Sequence, residues 1–217
     1  MLSGCSMFRS YDTELQATNQ QLATGNVDGA LTQLEKNNTG KDKDLLYFFE
    51  KGELLRAKGD LTGSQAAWRS ADLQVYKWEE SVKFDSEKYL AQFGSFLVND
   101  KTRRYDGQDY EKVMLSTNLT LSHVMQGNYD LARIEMKKTY EREKLIESFR
   151  EKEYDTLQED AKKQNATVSV KQMKDYPMAE LDTPEVNSLK NGFQNAFSHY
   201  LAGYFFEVTG ERSLAEP

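Results

Sequence analysis

The aromatic run Phe193, Phe197, Tyr200, Tyr204, Phe205 and Phe206 opens with spacings of four, three and four before its last three members follow one another, and this i, i+3, i+4 pattern predicts a buried helix face. Strict alternation, the mark of a strand, is confined to Thr167-Val168-Ser169-Val170, and the flanking lysines read as a loop. Helices are predicted over about 10–24, 27–37, 43–58, 62–98, 108–126, 128–164 and 184–208, with Asp60, Asn128 and Thr183-Pro184 as starts. Two of these are long. The second runs through Glu, Lys, Arg, Leu and Ala, the strongest helix formers, and would reach roughly 55 Å at about 1.5 Å per residue. Loops are expected at 99–108 and 165–184, the second holding two of the three prolines.

The polar interruptions are themselves periodic. Gly25-Asn26 and Gly59-Asp60 stand 34 residues apart, and Gly127-Asn128 follows 68 residues later, twice that interval. A fixed period of this length resembles the helix-turn-helix unit of tetratricopeptide repeats, whose apolar face is buried only by stacking on neighbours. The resemblance implies a small residue seven before each turn glycine and another five after it. Thr18 and Ala30 fit around Gly25, Gly52 and Ser64 around Gly59, Thr120 and Ala132 around Gly127, and Gly203 and Ala215 around Gly210. The bulky residue expected nine after the glycine is Leu34, Trp68 or Met136. The early aromatic survives only as Phe48, with Glu14, Ser116 and His199 in its place. The expected fold is all-α: a tetratricopeptide-like helical-repeat solenoid over 11–217, of about four degenerate units with two unusually long helices. A unit that should centre near residue 93 is replaced by the first long helix. The chain stops where the fourth unit's second helix would begin, so a domain truncated at its C-terminus is expected.

Residues 1–10 form a separate segment. Leu2-Ser3-Gly4-Cys5 has the form of a lipobox, at which a bacterial signal peptide is cut so that the cysteine thiol can carry a diacylglyceryl group. Cys5 is the only cysteine and a polar stretch, Ser6 to Ser10, follows it as a tether would. The basic and apolar regions of a leader are not seen upstream. The resemblance implies lipidation at Cys5, and Ser6 in place of a retention aspartate implies the periplasmic face of the outer membrane. An ordinary cytoplasmic thiol is the alternative.

Composition narrows the partners. The 217 residues carry a net charge of −7 and are 29% charged, which argues against a membrane span and against nucleic acid, because the one dense basic cluster is Lys101, Arg103 and Arg104. No phosphate-binding glycine loop, paired-histidine metal motif or nucleophile elbow occurs, so neither a metal, a cofactor nor an enzyme is expected. His123 falls where the repeats place a packed aromatic and reads as a core or helix-contact residue. Glu79 and Glu80 are adjacent and point apart on a helix, a poor acid–base pair.

Ligand-facing residues in the repeat family come from the first helix of each unit. Carried over, that pattern selects Phe49, Glu53 and Arg56, then Thr117, Leu121 and Val124, then Tyr200, Tyr204 and Glu207, a mixture suited to an extended peptide or a partner helix. Arg104 and Tyr105 join them from the 99–108 loop. With the lipobox, the chain resembles repeat-containing outer-membrane lipoproteins of Gram-negative bacteria, and more closely a poorly characterised envelope lipoprotein family sharing Tyr105-Asp106-Gly107-Gln108-Asp109-Tyr110-Glu111. The resemblance implies a lipid-anchored scaffold for an envelope protein or peptide, in cell-wall or envelope assembly. Two other readings stay open: a peptidoglycan-fragment binding or hydrolytic protein using Asp106 and Asp109, and a cytoplasmic repeat adaptor.

Overall fold

The computed structural model describes residues 11–84, 105–163 and 194–215. Cys5, Arg104, the 85–98 end of the first long helix, the 165–184 loop and the Thr183-Pro184 start lie outside them. Among the described residues every regular element is a helix: α1 (Tyr11–Ala23), α2 (Val27–Asn37), α3 (Leu45–Lys58), α4 (Leu61–Phe84), α5 (Asp109–Met125), α6 (Tyr129–Lys163), α7 (Ala196–Val208) and α8 (Arg212–Ala215). They divide into two compact units, residues 1–139 and 140–217.

Four of the connections are one turn repeated. Gly25, Gly59, Gly127 and Gly210 all adopt φ between 73° and 87°, the left-handed region that a side chain resists. In each, the glycine N–H donates to the carbonyl three residues back, and the next residue's N–H donates to the carbonyl five before it. The pairs are Gly25 to Leu22 with Asn26 to Gln21, Gly59 to Arg56 with Asp60 to Leu55, Gly127 to Val124 with Asn128 to His123, and Gly210 to Glu207 with Glu211 to Phe206. This double closure satisfies the last carbonyls of the incoming helix. The residue after the glycine then opens the next helix. Asn26 accepts from the Gly29 N–H at 2.9 Å and Asp60 from the Gly63 N–H at 2.8 Å.

Small residues flank each turn because the two helices touch there. Ser64 Oγ donates to the Gly52 carbonyl at 2.8 Å, and Thr18, Ala30, Thr120 and Ala132 are all buried. The bulky positions Leu34, Trp68 and Met136 are buried as well. In the first unit α1 packs on α2, α2 on α3, α3 on α4 and α4 on α5. One apolar cluster, Ala30, Leu34, Tyr47 and Leu54, joins α2 to α3. A second, Leu45, Trp68, Ala71, Val75, Leu115 and Leu119, joins α3, α4 and α5, and Phe48 packs against both.

Two expectations are corrected. The helix expected over 184–208 is not continuous: Asn195 is extended and caps α7, its side chain accepting from the Ser198 N–H at 3.1 Å. An asparagine placed to satisfy an orphan helix donor competes with helix continuation. The aromatic run is also not simply a buried face. Phe205 is buried, whereas Phe197, Tyr200 and Tyr204 are exposed: the latter three share one side of the helix, and Phe205, the residue after Tyr204, is turned about 100° from it.

Candidate functional site

Of the residues selected from α3, Glu53 and Arg56 are engaged with each other, and Glu53 also reaches α5. Glu53 accepts from Asn118 Nδ2 at 2.9 Å and from Arg56 Nε and Nη2 at 2.9 and 2.8 Å. Phe49 is half-buried against the cluster that links α3 to α5, and Tyr105 packs on the same cluster. Leu121 and Val124 are half-buried. Thr117 is buried with its hydroxyl donating to the Val113 carbonyl, so it is removed from the partner-facing set: the face it occupies on α5 points into the core.

The segment Tyr105 to Glu111 is a helix start. Gly107 adopts φ 74°, and the Glu111 carboxylate reaches back to accept the Gln108 N–H at 2.6 Å, the returning half of a capping box. Tyr105 donates its phenol to the same Glu111 oxygen at 2.5 Å. Lys112, itself buried, donates to the Gly107 carbonyl at 2.7 Å and lies 4.5 Å over the Trp78 ring. Asp109 stands 3.5 Å from Lys112 and Asp106 is exposed.

Between these elements lies Glu50. Burial, followed by the charges of Glu53 and Glu111, pushes its carboxyl above the ordinary range. Neither Glu50, Glu111 nor Asn118 was selected from the sequence. They come from segments about sixty residues apart, and the one signal was that Glu50 and Glu53 lie three apart on a single helix.

In the second unit, α7 presents Tyr200 at 71% and Tyr204 at 57% exposure, flanked by exposed Phe197 and Val208. Positions 197, 200, 204 and 208 fall on one side of the helix, and Glu207 beside them is exposed. Beneath, His199 Nε2 lies 2.7 Å from Glu143 Oε2, and the other Glu143 oxygen accepts the Asn195 N–H at 2.7 Å. Glu143 is buried, so these two contacts satisfy a carboxylate that water reaches poorly.

Among the described residues no group of three or more His, Cys, Asp or Glu side chains is placed to hold a metal, and no helix is long and apolar enough to cross a membrane. No family model matches the chain, and no characterised protein or solved structure is significantly similar to it.

Proposed function

We propose that this chain is a scaffold or adaptor built of tetratricopeptide-like units and anchored at the periplasmic face of the outer membrane through a lipid on Cys5. Its partner is an envelope protein or peptide. The observation that carries the binding role is the aromatic face of α7, where Phe197, Tyr200, Tyr204 and Val208 stand exposed together on an ordered helix. Tyrosine offers large contact area at low entropy cost and is enriched where proteins bind one another. The repeated glycine turns support the solenoid reading, because each closes a two-helix hairpin in the same way. Lipid attachment rests on the Leu2-Ser3-Gly4-Cys5 sequence.

The test is expression of the gene from its native start in a Gram-negative host, followed by N-terminal mass, membrane fractionation and cross-linked capture. Wild type, Cys5→Ser and a Tyr200→Ser/Tyr204→Ser double variant are compared. The expected result is a lipidated, membrane-bound wild type, a soluble Cys5→Ser, and loss of captured envelope proteins from the double variant alone. An unmodified, soluble wild type would return the reading to a cytoplasmic adaptor. Undiminished capture by the double variant would remove the α7 face from the binding role.

A further inference from the structure

Three helices of the first unit meet at one buried imidazole. His123 on α5 is 4% exposed, and Arg69 Nη2 on α4 lies 2.9 Å from its Nε2. A guanidinium only donates, so Nε2 accepts and the imidazole is neutral with its proton on Nδ1. The Gln65 carboxamide, also on α4, lies 3.4 Å from Nδ1. The atom nearest the ring is the amide nitrogen, Gln65 Nε2, a donor, so with the proton on Nδ1 it supplies no acceptor, and the short contact to the ring is the one from Arg69.

The charges around the ring are already balanced. Arg69 Nη1 donates to Glu135 Oε1 on α6 at 2.5 Å and stands 3.6 Å from Asp72. Lys138, also on α6, donates to Asp72 Oδ2 at 2.7 Å and lies 3.3 Å from Glu135 Oε2. Two cations face two anions, and Glu135 is 1% exposed. A proton on Nε2 would add an uncompensated charge and set a donor against a donor. Glu135 would favour that proton, but its Oε1 is held by Arg69 and its Oε2, which accepts no hydrogen bond among the described residues, faces the Lys138 ammonium at 3.3 Å.

We propose that the His123–Arg69 contact is an acid-sensitive latch, which holds α4 onto α5 and α6 while the ring is neutral and releases it when Nε2 is protonated. Burial first, then the charges of Arg69 and Lys138 against the opposing Glu135, hold the imidazole below its ordinary range. A group so depressed in the folded state contributes stability that is full above the unfolded value of about 6.5. That stability is lost as pH falls through the folded value.

The test is hydrogen exchange of the full chain at about pH 7.5 and about pH 5.5, corrected for the intrinsic pH dependence of exchange. Wild type is compared with His123→Gln, which keeps an acceptor for Arg69 and cannot titrate. Wild type should lose protection several-fold over residues 65–72 and 119–139 at the lower pH while α2 keeps its own, and the variant should change little. Equal losses in both proteins would overturn the latch. If His123→Gln does not fold, the wild-type ring resonance decides, assigned against a His199→Gln variant. The latch requires that protonation of His123 and loss of α4 protection share one midpoint. A ring that protonates while α4 stays protected would refute it.

Discussion

The Trp68 ring occupies the volume that a β-carbon on residue 52 would need. An alanine Cβ at position 52 would collide with Nε1 and Cδ1 of Trp68, itself 1% exposed and unable to swing away. Gly52→Ala should therefore destabilise the first unit by about 1–3 kcal/mol from overpacking, despite the better helix propensity of alanine. Gly203 holds the same place before its own turn, yet a Cβ there would lie 3.4 Å from the Ala215 carbonyl oxygen and meet nothing closer. Gly203→Ala should be neutral or stabilising by up to about 1 kcal/mol. Thermal unfolding should show a loss for Gly52→Ala and none for Gly203→Ala, and equal losses would contradict the packing described.

The turn glycines are needed for their backbone rather than for space. A Cβ on Gly127 would meet nothing within 4 Å, so only the φ of 73° opposes a side chain. Gly127→Ala should cost about 1–2 kcal/mol, and Gly127→Asn less, since asparagine visits the left-handed region more readily. Chemical denaturation resolves the pair. A Gly127→Ala protein as stable as wild type would refute the strain argument.

Glu50 should oppose stability at neutral pH. Its carboxyl titrates above its unfolded value, so the folded state holds the proton more tightly, and stability is gained as pH falls through the folded value toward the unfolded one. Glu50→Gln should raise the midpoint of thermal unfolding at pH 7 and remove that gain on acidification. A variant less stable than wild type at pH 7 would show that the charge makes a favourable contact.

Removing both exposed tyrosines of α7 should leave folding intact. Tyr200 and Tyr204 are each more than half exposed, and substitutions at such sites fall within about 0.5 kcal/mol. Circular dichroism melting of Tyr200→Ser/Tyr204→Ser should match wild type within about 2–4 °C. A large loss would mean that the aromatic face is covered within the chain, and would void its use as a binding surface.

Much of the architecture was legible because it is local. A glycine in the left-handed region followed by a capping residue is written in adjacent letters, and the observed α2 has the predicted bounds, α3 and α5 differ by two residues or fewer at each end, and α6 begins one residue from the predicted start. Apolar periodicity showed that α7 has a face, but not whether anything covers it, so Tyr200 was read both as buried and as ligand-facing. Thr117 was misplaced for a related reason: α5 is buried over most of its circumference, and repeat position alone does not distinguish its outward side. The clustering of Glu50, Glu53, Glu111 and Asn118 was illegible because it depends on how α3 and α5 lie together. Arg69 and Glu135 escaped for the same reason, being charged residues on charged helices until His123 joins them.

The tight closure at Gly59 also sets a rule about insertions. One extra residue between Gly59 and Asp60 would separate the two backbone closures, Gly59 to Arg56 and Asp60 to Leu55, and so displace α4 from the register that sets Trp68 on Gly52 and Ser64 on the Gly52 carbonyl. Side chains at the small positions vary among Gly, Ser, Thr and Ala, but the twelve-residue step between them does not. Length, more than identity, is what these four turns hold in common, so a single-residue insertion at such a turn should do more damage than most substitutions beside it.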